Sequence, residues 1–87
     1  MAKVFIPPLA RELTHGTEQI EVDGKNVKKL IISLEEQYPG IRDRLCDGNE
    51  LKAGLTVAVD GNVSSLGMYQ KVEEHSEVHF LPAIGGG

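Results

Sequence analysis

Val27, Leu30, Ile31, Leu34 and Tyr38 recur at intervals of three and four residues between Asn26 and Pro39-Gly40. That spacing puts them on one stripe of an α-helix and leaves Lys28, Lys29, Glu35, Glu36 and Gln37 mostly on the other side. Asn26 carries the short polar side chain that caps a helix start. Pro39 ends the helix by driving the residue before it out of the α region. A single helix of about three turns can cover one face of a mixed sheet of four or five strands. The expected fold class is therefore α+β in two layers, with one main helix packed on one face of the sheet.

The flanking sequence supplies the strands. Residues 2–6 read as a short strand carrying the β-branched and aromatic Val4, Phe5 and Ile6, and Pro7-Pro8 stop it because proline cannot extend a hydrogen-bonded ladder. Thr14-His15-Gly16-Thr17 is turn-like, and Glu18 to Val22 alternate polar with apolar as on a half-buried strand. A hairpin is the simplest way to join the two. Ile41 to Leu45 form one further helical turn, and the polar, glycine-containing run from Cys46 to Gly54 reads as an irregular connection. Leu55 to Val59 form a strand, Asp60-Gly61 is the preferred dipeptide of a tight hairpin turn, and Val63 starts the return. Gly67 and the polar stretch Gln70 to Ser76 belong to turns, and Val78 to Leu81 complete the last strand. Strand order does not follow from the sequence.

Eighty-seven residues make one domain. A chain of that length buries about 60–65% of the surface its unfolded form exposes, so the core is compact. The net charge of −4 argues against nucleic acid, which requires clustered Lys and Arg, and favours docking on a basic protein surface. A single cysteine, Cys46, excludes a disulfide framework. No apolar run approaches the roughly 20 residues of a membrane span, and Pro7-Pro8 arrive too early for a signal peptide. The expected location is the cytoplasm, with no membrane partner.

The C-terminal stretch Leu81-Pro82-Ala83-Ile84-Gly85-Gly86-Gly87 follows the last strand directly. On composition alone such an end is an inert tail. Glycine gives the backbone its narrowest cross-section and widest conformational range. Five extended residues from Ala83 span roughly 17 Å, enough to enter a partner's active site.

Element order, the helix ending Tyr38-Pro39-Gly40, the hairpin Val59-Asp60-Gly61 and the ending Val78 to Gly87 together make the chain resemble the ubiquitin-like sulfur carriers. That family includes the small subunit of molybdopterin synthase, the thiamine-pathway carrier and the carrier that feeds cysteine synthase. The resemblance covers nearly the whole chain, and β-grasp pattern plus terminal Gly86-Gly87 is its specific part. The segment from Pro39 to Gly54 is longer than in thiamine-type carriers. The start Phe5-Ile6-Pro7-Pro8-Leu9-Ala10-Arg11 and the ending Leu81-Pro82-Ala83-Ile84 lean toward the cysteine-biosynthesis branch, because the molybdopterin type has a second proline where Ala83 stands.

The resemblance implies a β-grasp domain over residues 1–82 and a flexible glycine tail over 83–87. It implies a protein co-substrate and not an enzyme: a ubiquitin-activating-type enzyme uses ATP to adenylate the Gly87 carboxylate. Sulfur then gives a thiocarboxylate that serves an acceptor resembling cysteine synthase or the molybdopterin synthase large subunit. Gly87, with Gly86, carries the chemistry, Gly85 is a spacer, and no cofactor is bound. Leu81, Pro82, Ala83, Ile84, Gly85 and Met68 are the expected partner contacts, although Leu81 and Met68 also read as core. Two other functions fit the same sequence: a modifier joined to lysines through Gly87, and an interaction module with an inert tail.

Other constellations carry less. His75 and His79 are four apart, but on a turn and a strand that spacing separates them by about 13 Å. Cys46 reads as a surface or half-buried thiol with no base beside it.

Overall fold

The computed structural model describes residues 1–64 and 66–82. The first strand, β1 (Ala2–Phe5), pairs antiparallel with β2 (Gln19–Val22), in register from Ala2↔Val22 to Phe5↔Gln19. The connection between them contains α1 (Pro8–Arg11), which the sequence reading left unassigned. Pro8 sits in its first turn, where the missing N–H would have no intrahelical partner anyway. The main helix α2 (Val27–Gln37) starts at Asn26, whose Oδ1 accepts a 2.8 Å hydrogen bond from the Lys29 N–H. It ends at Tyr38, one residue before Pro39.

A short helix, α3 (Ile41–Leu45), follows, entered through Gly40 at φ 101°. Glu35 holds this joint: its carboxylate accepts from the N–H groups of Gly40 and Arg42 at 2.9–3.2 Å. Those bonds, chiefly the Gly40 one, hold the Glu35 carboxyl below its ordinary value.

Residues 46–54 are not a wholly irregular connection. They contain a two-residue hairpin, β3 (Cys46–Asp47) and β4 (Glu50–Leu51), turned by Gly48 at φ 68°. Two residues per strand are too few to leave an alternating pattern in a sequence, which is why only the turn glycine showed.

The remaining strands are β5 (Leu55–Val59), β6 (Asn62–Val63) and β7 (Glu77–Pro82), with a 3-10 turn at Gly67–Tyr69. The main sheet runs β2-β1-β7-β5-β6. The last strand thus lies in the middle, parallel to β1 and antiparallel to β5. Parity sorts the faces: Val4, Val57, Val59, Val78 and Phe80 join Val27, Leu30, Ile31 and Leu34 of α2 in one buried cluster. This is the β-grasp arrangement, a mixed five-stranded sheet holding one main helix.

The start of β7 is clamped to the β5–β6 turn. Asp60 (φ 51°) and Gly61 (φ 83°) both take the left-handed values that the tight hairpin turn requires. The Asp60 carboxylate accepts from the Glu77 N–H at 2.9 Å and from the Ser76 hydroxyl at 2.8 Å. These two bonds, the Glu77 one first, depress its pKa. We expect Asp60→Ala to cost about 1–2 kcal/mol in a denaturant melt, from two charge-assisted bonds at an exposed site. A folded-state pKa below the unfolded one stabilises in full above the ordinary carboxylate value and is lost as pH falls through the folded value. Wild type should therefore lose more stability on acidification than Asp60→Ala, and equal acid slopes would refute that share of the clamp.

Candidate functional site

The described residues end at Pro82, the last residue of β7. Leu81 pairs with Thr56 and Pro82 with Leu55, while β1 pairs no further along β7 than His79. Proline is tolerated here because no donor is missed: the Leu55 N–H donates to the Lys52 carbonyl at 3.0 Å. β7, the sheet's central strand, therefore extends through Pro82, further than the sequence reading carried it.

On the face away from α2, β7 presents Glu77, His79 and Leu81. The His79 ring stacks on Phe5 of β1, with centroids 4.0 Å apart and planes 8° from parallel. Its Nε2 lies 3.8 Å from the Glu77 carboxylate. Leu81 is 39% exposed, an apolar side chain open to solvent beside this stack. The sequence reading weighed His79 only as a possible metal ligand with His75 and named Phe5 only within the N-terminal motif, so the stack between them was not expected. Parity puts 79 and 81 on one face, but the parallel pairing that brings Phe5 to His79 spans most of the chain.

Met68 does not join this surface. It is only 4% exposed, packed in the core with its Sδ 3.8 Å from the Cys46 Sγ. Of its two sequence readings, core and partner contact, burial matches the first: the 3-10 turn that carries it packs against α2, β4 and β5. Cys46 is likewise buried, not a surface or half-buried thiol, and burial pushes its pKa up. His75 stands in a turn at φ 70° while His79 lies on β7, and no metal-binding group of three side chains occurs among the described residues. Ala83, Ile84, Gly85, Gly86 and Gly87, the remaining expected site residues, lie outside the described residues. Among the described residues, no helix is long and apolar enough to cross a membrane.

β7 thus ends at Pro82 in the middle of the sheet, with Leu81 open to solvent and no metal-binding group of three side chains among the described residues. A model of the ThiS family matches residues 4–87. The chain belongs to the ThiS family. Among ThiS-family relatives, the sulfur carrier protein CysO of Mycobacterium tuberculosis is 32% identical over 89 residues, covering 97% of this chain and 96% of its own. The crystal structure of Mycobacterium tuberculosis CysO superposes with a TM-score of 0.87 at 27% identity, covering 97% of this chain and 100% of that one. A chain of the Amycolatopsis orientalis BexX/CysO complex gives the same TM-score at 29% identity, with full coverage of both. The small archaeal modifier protein 1 of Methanosarcina acetivorans shares the fold, with a TM-score of 0.76 at 24% identity over 99% of this chain and 95% of its own.

Proposed function

We propose that this ThiS-family chain is a sulfur carrier, a protein co-substrate whose terminal Gly87 carboxylate is activated by another enzyme. The observation that carries the reading is the 32% identity to the carrier CysO over nearly the full length of both chains. The carboxylate attacks the α-phosphate of ATP in the partner's site, giving an acyl-adenylate and releasing pyrophosphate. Sulfide displaces AMP to give the thiocarboxylate directly; a persulfide displaces AMP to give an acyl disulfide, which a second thiol reduces to the thiocarboxylate, leaving a disulfide on the donor. That sulfur is nucleophilic and stays attached to a protein until an acceptor enzyme takes it. The CysO relatives favour an acceptor of the cysteine-synthase type over one of the molybdopterin type.

The fold suits this cycle by division of labour. The β-grasp body supplies the docking surface, of which Leu81 and Pro82 are the part nearest the tail. Glycines keep the last residues thin enough for a channel and free of side chains beside the reacting carbonyl. Fixing each of those residues costs about 1–2 kcal/mol of backbone entropy, which docking of the body has to offset.

The test is incubation with a ubiquitin-activating-type enzyme, ATP and a sulfur source, followed by intact mass spectrometry. The expected product has one oxygen of the terminal carboxylate exchanged for sulfur. No exchange with sulfide or a persulfide donor would refute the carrier reading. Lysine-linked species of higher mass in its place would assign the chain to protein modification.

A further inference from the structure

The outer side of α2, away from the sheet, carries a second exposed surface. Lys28 and Lys29 sit in the first turn of the helix, which holds no acidic residue, and Lys25 stands just before the Asn26 cap. The start of a helix is its positive end, so lysines there work against the helix dipole. Lys71 is brought beside them: Asn26 bridges to Lys71, and the Val72 N–H donates to the Lys25 carbonyl at 2.9 Å. Four lysines thus gather at one helix start in a chain of net charge −4. Lys71 pairs with Glu73 at 3.3 Å. Lys25, Lys28 and Lys29 form no ion pair among the described residues.

Apolar side chains are interleaved with these charges. Ile32 is 38% exposed, one turn beyond Lys28 on the same line of the helix surface. A β-branched residue gains nothing for a helix at an exposed position, so local structure does not call for isoleucine there. Tyr69, 60% exposed, stands beside Lys28, whose ammonium lies 5.9 Å from the ring centroid. Asp23, Glu73 and Glu74 border Lys25 and Lys71 in one cleft, so the uncompensated charge is that of Lys28 and Lys29. The first acids along α2 do not neutralise it. The Glu35 carboxylate is engaged by Gly40 and Arg42, and Glu36 lies about 10 Å beyond Lys29 along the axis.

We infer that Lys28, Lys29, Ile32 and Tyr69 form a docking site for an acidic protein segment that carries an apolar side chain between its carboxylates. Charge complementarity selects that occupant: the two ammonium groups meet carboxylates, while Ile32 and Tyr69 cover the apolar side chain. Nucleic acid suits the site poorly, since two lysines face the field of a chain of net charge −4. A membrane surface suits it no better, because one isoleucine and one tyrosine give little apolar area to insert. The site lies on the far side of α2 from the sheet, to which His79, Leu81 and Pro82 belong. A partner held there leaves the end of β7 uncovered, so it stays bound while an enzyme handles the tail. The inference does not depend on the carrier reading.

The test titrates the full, isotope-labelled chain with a short synthetic peptide of Asp, Glu and Leu, read by amide NMR shifts. The shifts should cluster at Lys28, Lys29, Ile32 and Tyr69, and binding should weaken as salt rises. Lys28→Glu combined with Lys29→Glu should weaken binding about tenfold or more, and Ile32→Ser about threefold or more. Carboxylates favour a helix start, so the double variant keeps its fold, which a thermal melt checks. If it does not, Ile32→Ser decides alone. No binding of the peptide by the wild-type chain, or equal binding by wild type and folded variants, overturns the inference. So does tighter binding of a uridine oligonucleotide or of phosphatidylserine vesicles than of the peptide. Thiocarboxylate formation should proceed at the wild-type rate in the double variant; a lower rate would place the lysines in the activating enzyme's interface and overturn the separate site. A wild-type chain that takes up no sulfur removes only the carrier reading.

Discussion

Deleting Gly86 and Gly87 should abolish thiocarboxylate formation while leaving the domain's melting curve unchanged. The shortened chain would end at Gly85, and its carboxylate would stop two residues short, roughly 7 Å at extended rise. Displacements of about 1 Å already cost on the order of a hundredfold in positioned chemistry, so a gap of this size removes the reaction. Stability is unaffected because every residue of the buried cluster lies between Ala2 and Phe80. The two measurements, intact mass after incubation with enzyme, ATP and sulfide, and a thermal melt, separate loss of reach from loss of fold. Sulfur incorporation at wild-type rate in the shortened chain would remove Gly87 from the mechanism. Replacing Gly86 by valine tests the channel argument separately, since it keeps the length but widens the thread and stiffens its χ1.

Leu30→Ala should lower the unfolding free energy by about 2–5 kcal/mol, the range for emptying a fully buried leucine site. Leu30 has no exposed surface and lies on the stripe of α2 that fills the sheet's concave side. Its surroundings collapse poorly, because Gly24 already packs hard against it: a Cβ there would stand 2.7 Å from the Leu30 nitrogen and 2.9 Å from its Cδ2. Domains of this size have only about 5–15 kcal/mol in total, so a large share is at stake. Urea melts should show a lower midpoint with an unchanged slope. A loss below about 1 kcal/mol would mean that the helix is loosely seated.

Much of this was legible in the sequence, for identifiable reasons. The stripe Val27 to Tyr38 stated both the helix and its buried side, because 3.6-residue periodicity is local information. Asp60-Gly61 announced its hairpin through the left-handed conformations it tolerates. The pairing of β7 with β1 was not legible, since it joins residues more than seventy positions apart. The Phe5–His79 stack depends on that pairing and stayed hidden with it. Met68 kept two readings, core and partner contact, because a lone methionine among polar turn residues carries no periodicity to show which side it faces; the structure buries it. α1 and the β3–β4 hairpin are too short to imprint a pattern.

The position of β7 also has a mechanical consequence. An enzyme that draws the chain end into its channel pulls on Pro82 along the strand axis. The hydrogen bonds to β5, and those to β1 further back, lie across that axis, so the load shears several of them together. At the sheet's edge, the same pull would load one ladder instead of two. With β7 in the centre and the Asp60 carboxylate bonded to the Glu77 N–H at its far end, tension on the tail meets the cooperative strength of the whole sheet. Resistance to such traction is set by the unfolding rate and not by equilibrium stability. The domain is thereby suited to be gripped by its end and released intact, cycle after cycle.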